Sequence, residues 1–228
     1  MSDPRPSDDL AATFARMGGP DEEKIWSALF DDICHQGSVY DDSFLALPFL
    51  AAIAKGDAPG DVHQAVSMAG LIVSAADEGH TERYADEIAA LRPVGRRLLT
   101  TATGHYDFVD MFQCVLAFEG ERLWSQSRLE GLVECEYEVE CPSCWSELLL
   151  SFDDDGDADY AEAGRNRTPL RPADPRNLGP IPARLRLAAA EARLTNVARG
   201  VTFLFGTADC PDCEAAFAVS EQVAARPY

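Results

Sequence analysis

The chain has 228 residues, with 39 Asp and Glu against 19 Lys and Arg, and its formal net charge is −20. Hydrophobic residues make up 46% and charged residues 25%, which excludes a wholly disordered chain. The excess of acids argues against non-specific binding to nucleic acid or anionic lipid over most of the surface. No apolar run reaches the roughly 18 residues of a membrane span, and no basic segment precedes an apolar one at the start. We therefore expect a cytoplasmic protein without a membrane partner.

The first part of the chain carries a helical pattern. Residues 1–19 are rich in Asp, Pro and Ser and predict a flexible tail, in which a short apolar stretch over 10–17 could form two helical turns. Over 20–131, apolar residues recur at helical spacing, which predicts six helices over 21–35, 41–54, 61–77, 81–100, 105–118 and 121–129. Pairs of helices thus begin near residues 21, 61 and 105, a period of about 40 residues that is typical of HEAT-type solenoids.

After residue 131 the period changes to two. Alternating Glu and apolar residues predict a strand over 133–141, and a second strand follows over 146–152. An acidic loop over 153–159 and a proline-rich linker over 165–180 lead to a helix over 182–199 and strands over 201–205 and 215–219. We predict a mainly α protein: a HEAT-like domain over 20–131, then a small β region over 132–228 with a helical insertion over 153–200.

Four of the seven cysteines form two matched Cys-Pro-x-Cys units, Cys141 with Cys144 and Cys210 with Cys213. Each unit follows a predicted strand and precedes another, which is the pattern of a zinc knuckle. Two knuckles make a closed site of four thiolates, so the sequence predicts a structural Zn²⁺ in a zinc ribbon. A redox pair would need a helix directly after the unit, and neither unit has one.

The remaining chemistry-bearing residues give weaker signals. Cys34, Cys114 and Cys135 are interpreted as core residues, although Cys135 is also a spare ligand candidate. The acidic loop 153–159 has the composition of a calcium loop but not its register, so we interpret it as a solvated loop. The four histidines form no metalloprotease motif, and no nucleophile elbow or phosphate loop is present in the sequence.

The stretch over 26–50 resembles the opening helix pair of small bacterial HEAT-like proteins of toxin-immunity and related families. The resemblance rests on a helix led by Trp26, a His35-Gln36-Gly37 turn followed by Tyr40, and an Ala46-Leu47-Pro48 helix. It implies binding rather than catalysis. It also makes Trp26, His35, Gln36 and Tyr40 candidate partner-binding residues, against the alternative that they are structural.

Three hypotheses about function follow. The first is a non-enzymatic, acidic protein-binding protein of the immunity or adaptor type, with a basic protein as its partner. The second is a nucleic-acid-linked regulator that uses the Arg-rich segment 165–199 beside the ribbon. That segment holds seven arginines that would form a contact strip: Arg165, Arg167, Arg171, Arg176, Arg184, Arg186 and Arg193. The third is an enzyme with a pocket between the helices and the ribbon, and with His35 or His105 as general base.

Overall fold

The chain folds mainly into helices, with a small antiparallel sheet in its second half. The computed structural model describes residues 6–35, 38–152 and 159–226, and it contains eleven α-helices over these residues. The chain divides into two compact units. The first unit holds residues 1–99 and 110–126, and the second holds residues 100–109 and 127–228. Among the described residues, no helix combines the length and apolar character that a membrane crossing requires.

The helices that supply the first unit follow the predicted order. They are α1 (Pro6–Phe14), α2 (Glu22–Ile33), α3 (Leu47–Lys55), α4 (Val62–Ser74), α5 (Glu78–Arg83), α6 (Ala85–Thr101) and α7 (His105–Phe118). Two-residue strands, β1 (Cys34–His35) and β2 (Ser38–Val39), pair after α2, and a 3₁₀ helix (Asp41–Ala46) precedes α3. The core of this unit is almost wholly apolar, with fully buried side chains such as Leu47, Leu50 and Ile72.

Within the tail predicted over 1–19, residues 6–14 form helix α1, and a turn follows it over 15–18. Helix α1 ends at Phe14, whose ring stacks on Phe49 with centroids 4.9 Å apart and meets Trp26 edge-on at 6.5 Å. Phe14 and Met17 are both buried. Their apolar surface offsets the entropy that a polar, proline-containing segment loses on ordering.

Three predicted helices of the first unit have different bounds in the structure. The helix predicted over 41–54 is a 3₁₀ helix followed by α3, with Pro48 in the first turn of α3, where its missing N–H costs no hydrogen bond. The helix predicted over 81–100 is two helices, α5 and α6, because Tyr84 leaves helical geometry and buries its side chain. No helix forms over 121–129, where the Glu121 carboxylate instead accepts the N–H groups of Leu123 and Trp124.

The second unit contains two sheets. In the four-stranded antiparallel sheet, β3 (Glu136–Glu140), β4 (Glu147–Ser151), β5 (Tyr160–Ala163) and β6 (Asn166–Pro169) lie in chain order. Strands β7 (Thr207–Asp209) and β8 (Ala216–Ala218) form a separate hairpin. Short helix α8 (Gly131–Glu134) precedes β3. Along the chain, α9 (Pro180–Glu191) and α10 (Thr195–Leu204) come after β6 and before β7, and α11 (Val219–Ala225) follows β8.

Several predictions for the second half are corrected by these elements. The linker predicted over 165–180 contains β6, and the start of the strand predicted over 133–141 is helix α8. The strand predicted over 201–205 is the end of α10, which buries Val197, Val201 and Leu204 along one helical face. Gly200 lies inside α10. A Cβ at this position would lie 2.7 Å from the Phe152 ring, so glycine permits the close packing.

In the first unit, Gly70 of α4 likewise permits close packing, here against Cys114 of α7. A Cβ at residue 70 would lie 2.3 Å from Cys114 Sγ and 2.9 Å from Cys114 Cα, so backbone would have to move. We expect Gly70→Ala to lower the free energy of unfolding of the first unit by about 2 kcal/mol or more, measured by chemical denaturation. Gly79→Ala is the matched control, because its Cβ meets no atom closer than 3.5 Å. An equal loss of stability in both variants would contradict the packing argument.

Candidate metal centre

The first pair of cysteines lies in the turn between β3 and β4, here called the first knuckle (residues 141–146). The Cys141 N–H donates to the Ser146 carbonyl at 2.9 Å, and the Trp145 N–H donates to the Cys141 carbonyl at 3.0 Å. Trp145 has a positive φ of 65°. These bonds fold the turn back on itself and hold Cys141 and Cys144 on the same side.

The second pair forms a turn with the same geometry between β7 and β8, here called the second knuckle (residues 210–215). The Cys210 N–H donates to the Ala215 carbonyl at 2.9 Å, and the Glu214 N–H donates to the Cys210 carbonyl at 2.9 Å. Glu214 also has a positive φ, 61°. Both backbone bonds and the left-handed residue recur at the same offsets from the first cysteine. The two knuckles are therefore the same local structure.

Contacts between the two sheets bring the knuckles together. Arg171 and Thr207 exchange backbone hydrogen bonds at 2.9 Å in both directions. The Arg171 guanidinium also donates to both carboxylate oxygens of Asp209, at 2.5 and 2.6 Å. Thr168 Oγ1 donates to the Asp209 carbonyl. Since Asp209 directly precedes Cys210, these bonds fix the start of the second knuckle beside the four-stranded sheet.

The four predicted cysteines meet in one cluster. Their Sγ atoms all lie within 4.8 Å of one another. Across the two knuckles, the Sγ atoms of Cys141 and Cys213 are 3.7 Å apart, and those of Cys144 and Cys210 are also 3.7 Å apart. The first cysteine of each knuckle is fully buried and the second is exposed. Four sulfur donors so placed could hold a metal ion.

Hydrogen bonds, burial and neighbouring thiols shift the pKa values of three of these cysteines. Hydrogen bonding to the Ser146 side chain, and then to its backbone N–H, lowers the pKa of Cys144 to about 6. The Ala215 N–H favours the thiolate of Cys213, but the neighbouring thiols of Cys144, Cys141 and Cys210 outweigh it, and the pKa of Cys213 rises to about 12. Burial raises the pKa of Cys210. Without a cation, therefore, one thiolate forms easily and others resist ionisation.

A series of hydrogen bonds between polar side chains, here called the polar chain, links the two knuckles outside the sulfur cluster. Ser146 Oγ lies 3.3 Å from Cys144 Sγ and donates to Asp212 Oδ2 at 2.8 Å. The Asn166 amide of β6 donates to the other oxygen of Asp212 at 3.3 Å. Sequence reasoning did not single out these three residues. Ser146 and Asp212 are 66 positions apart, and no local pattern signals that they meet.

Cys114 and Cys135 lie outside this cluster. Cys114 is buried in the first unit, where burial raises the pKa of its thiol well above the ordinary value. Cys135 is buried at the C-terminal end of α8 with a positive φ of 58°. The side chain of Cys34 lies outside the described part of the structure.

Of the four candidate partner-binding residues, the structure describes the side chains of Trp26 and Tyr40. Trp26 is buried and donates from its indole N–H to Glu22 at 3.0 Å, so its ring packs in the core. Tyr40 is exposed. Gln36 and the side chain of His35 lie outside the described residues.

Two further sequence candidates are placed only in part. His105 begins α7 and is half-buried. Most of the acidic loop, residues 153–158, lies outside the described part of the chain. Asp159, at its end, accepts a hydrogen bond from Arg199.

Comparison with known proteins finds no match: no family model, no curated protein and no solved structure resembles this chain.

Loss of one cysteine should loosen the second unit selectively. We expect Cys141→Ser to abolish stoichiometric metal binding and to speed amide hydrogen exchange in 136–151 and 207–218, because a metal held by all four cysteines would join these hairpins. Helices α3 and α4 should exchange as in the wild type. Metal content and hydrogen-exchange mass spectrometry measure both effects. Cys114→Ser, outside the cluster, should keep the metal, and equal loosening of both units would contradict this organisation.

The polar chain should tune the metal site without forming it. We expect Asp212→Asn to weaken metal affinity by about tenfold at unchanged stoichiometry, because Ser146 loses a charged acceptor and the knuckles lose a cross-link. Competition with a chromophoric chelator measures the affinity. Asp174→Asn removes a carboxylate that pairs with Arg176 elsewhere in the unit and serves as control. A similar loss of affinity in both variants would show a general charge effect.

Proposed function

We propose that the chain is a non-enzymatic protein-binding protein whose second unit is built on a structural zinc ion. The observation that carries the zinc assignment is the cluster of four sulfurs. In a tetrahedral site with Zn–S bonds of about 2.3 Å, neighbouring sulfurs lie about 3.8 Å apart. The two measured cross-knuckle distances of 3.7 Å agree with this spacing. Thiolates in this arrangement select soft or borderline metals over Mg²⁺ or Ca²⁺.

A structural role is favoured over a catalytic one by the donor set. A catalytic zinc keeps one position open for water or substrate, whereas four thiolates fill a tetrahedral ion completely. The alternation of buried and exposed cysteines encloses the ion between two turns. In this proposal the two hairpins form a zinc ribbon, and β5, β6, α9 and α10 are an insertion between its halves. The reducing cytoplasm would keep the thiols available for the metal.

Protein binding is supported by the distribution of charge. The chain has a net charge of −20, and four thiolates with one Zn²⁺ add two further negative charges. Glu136, Glu138 and Glu140 are all exposed along one face of β3. A basic protein is the partner that this surface would attract and orient. The starts of α2, α4 and α7, at residues 22, 62 and 105, are compatible with a HEAT-like arrangement of the immunity or adaptor type.

The nucleic-acid alternative receives less support from the placement of the arginines. Three of the seven arginines proposed as a contact strip are engaged with acids of the same unit. Arg167 pairs with Glu162, Arg171 with Asp209, and Arg176 with Asp174. Phosphate contacts would have to compete with these pairs. The enzyme alternative, with His35 or His105 as general base, stays a prediction.

Affinity capture from a host lysate tests the proposal. We expect the zinc-loaded chain to retain one stoichiometric basic protein that survives nuclease treatment and is released by salt. With the purified partner, raising salt from about 50 to about 500 mM should slow association by about tenfold or more and change dissociation less. Biolayer interferometry measures both rates.

A variant of the arginine segment separates the two hypotheses. Arg186→Ala with Arg193→Ala should leave protein capture unchanged if acidic surfaces bind the partner. Retention that disappears with nuclease, or with this double variant, would move the function to nucleic acid. Absence of any specific partner would overturn the proposal of a binding protein.

A further inference from the structure

A groove beside the first knuckle combines acids with an exposed aromatic ring. It encloses about 750 Å³ and is lined by residues of the second unit alone. Trp145 lies at its edge and is 73% exposed, the most exposed large apolar side chain among the described residues. Four glutamates line the same groove: Glu138, Glu140, Glu147 and Glu162. A volume of several hundred Å³ is in the range of ligand-binding clefts.

Two of these glutamates already have cations. Glu138 pairs with Arg226 at 3.2 Å, and Glu162 pairs with Arg167 at 2.5 Å. The carboxylates of Glu140 and Glu147 make no hydrogen bond or ion pair with any described residue. These two glutamates are direct cross-strand partners on β3 and β4. Like charges in that position destabilise a sheet, so the pair carries a cost that nothing described in this unit offsets.

The second knuckle shows how the same position looks when a cation is supplied. The residue before its first cysteine is Asp209, which faces Ala216 across the hairpin, as Glu140 faces Glu147. Arg171 binds both oxygens of Asp209. At the equivalent place the first knuckle has two carboxylates, Glu140 and Glu147, and neither pairs with a described arginine. Arg226, which also lines the groove, pairs with Glu138.

Trp145 occupies the left-handed position of the knuckle turn, which Glu214 occupies in the second knuckle. Its backbone is left-handed, a conformation that is strained for a bulky L-residue and natural for glycine. Its ring stays in solvent, so folding gains little from burying it. An indole face beside carboxylates is the arrangement that binds a guanidinium, which stacks on the ring while donating two hydrogen bonds to a carboxylate.

We infer that this groove binds an arginine side chain of a basic protein segment, with Glu140 and Glu147 as its carboxylate partners and Trp145 as its stacking surface. The inference rests on the proposed function and gives it a location. The groove also includes Cys141 and Pro142 of the knuckle. The same turn that presents two thiolates to the metal therefore fixes the ring of Trp145 at the groove.

A labelled peptide tests the groove without knowledge of the natural partner. The probe is a fluorescein-labelled peptide of about ten residues that alternates arginine and glycine, titrated with zinc-loaded full-length chain at about 50 mM salt. The control peptide carries citrulline, which keeps the shape of arginine without its charge. Fluorescence anisotropy should show at least about tenfold tighter binding of the arginine peptide. Equal affinity for both peptides would overturn the inference.

Variants separate the groove from the general acidity of the chain. Glu140→Gln with Glu147→Gln should weaken arginine-peptide binding by about tenfold. Trp145→Gly should weaken it by about fivefold while keeping stoichiometric zinc, since glycine suits the left-handed backbone. Glu130→Gln with Glu191→Gln makes the same charge change at exposed sites outside the groove and should have little effect. Equal losses in this control and the groove variant would assign binding to diffuse charge and overturn the inference.

The groove proposal and the proposed protein-binding function can fail separately. If the wild type captures a basic protein and the Glu140→Gln, Glu147→Gln variant captures it equally, the protein-binding function stands and the groove is wrong as its site. If no protein is captured, the function proposal fails. The peptide titration and its variants then still decide whether the groove recognises arginine.

Discussion

Four sulfur atoms within 4.8 Å of one another cannot all be thiolates unless a cation lies among them. The organisation of the second unit depends on this constraint, because the cysteines come from hairpins that are far apart in sequence. Ionisation is easy at Cys144 and suppressed at Cys213, so a bound metal would displace protons as it draws the knuckles together. Such a metal would stabilise the fold through contacts that a small sheet cannot supply by apolar burial alone.

Two arginines hold elements of the second unit together. Arg171 neutralises Asp209 at the entry to the second knuckle and, through its backbone, joins the two sheets. Arg199 donates both to the Phe152 carbonyl and to Asp159, so α10 is held against the end of the four-stranded sheet. These arginines act inside the unit. Four of the eight arginines in the basic segment 165–199 are thus internal partners for acids of the same unit.

The cysteine cluster was predictable from sequence because a knuckle is a local structure. The Cys-Pro-x-Cys spacing and the flanking strand patterns lie within a few residues of each other, and the alternation of Glu136 to Glu140 set the exposed face of β3. Elements decided by distant packing were not predictable. Residues 201–205 have strand-like composition, but the turn at Arg193, with φ of 62°, lets this segment pack as a helix against Phe152. Phe14 likewise gains its order from Phe49.

The acidic groove shows how a local motif can determine a surface. The bond from the Cys141 N–H to the Ser146 carbonyl sets the register of β3 on β4, so the residue before Cys141 must face Glu147. The same bond in the second knuckle places Asp209 opposite Ala216. Because the knuckle turn fixes the register, a shift in strand pairing cannot relieve the repulsion between Glu140 and Glu147. The charge at this point therefore follows from residue choice alone, and the proposed binding of an arginine would account for it.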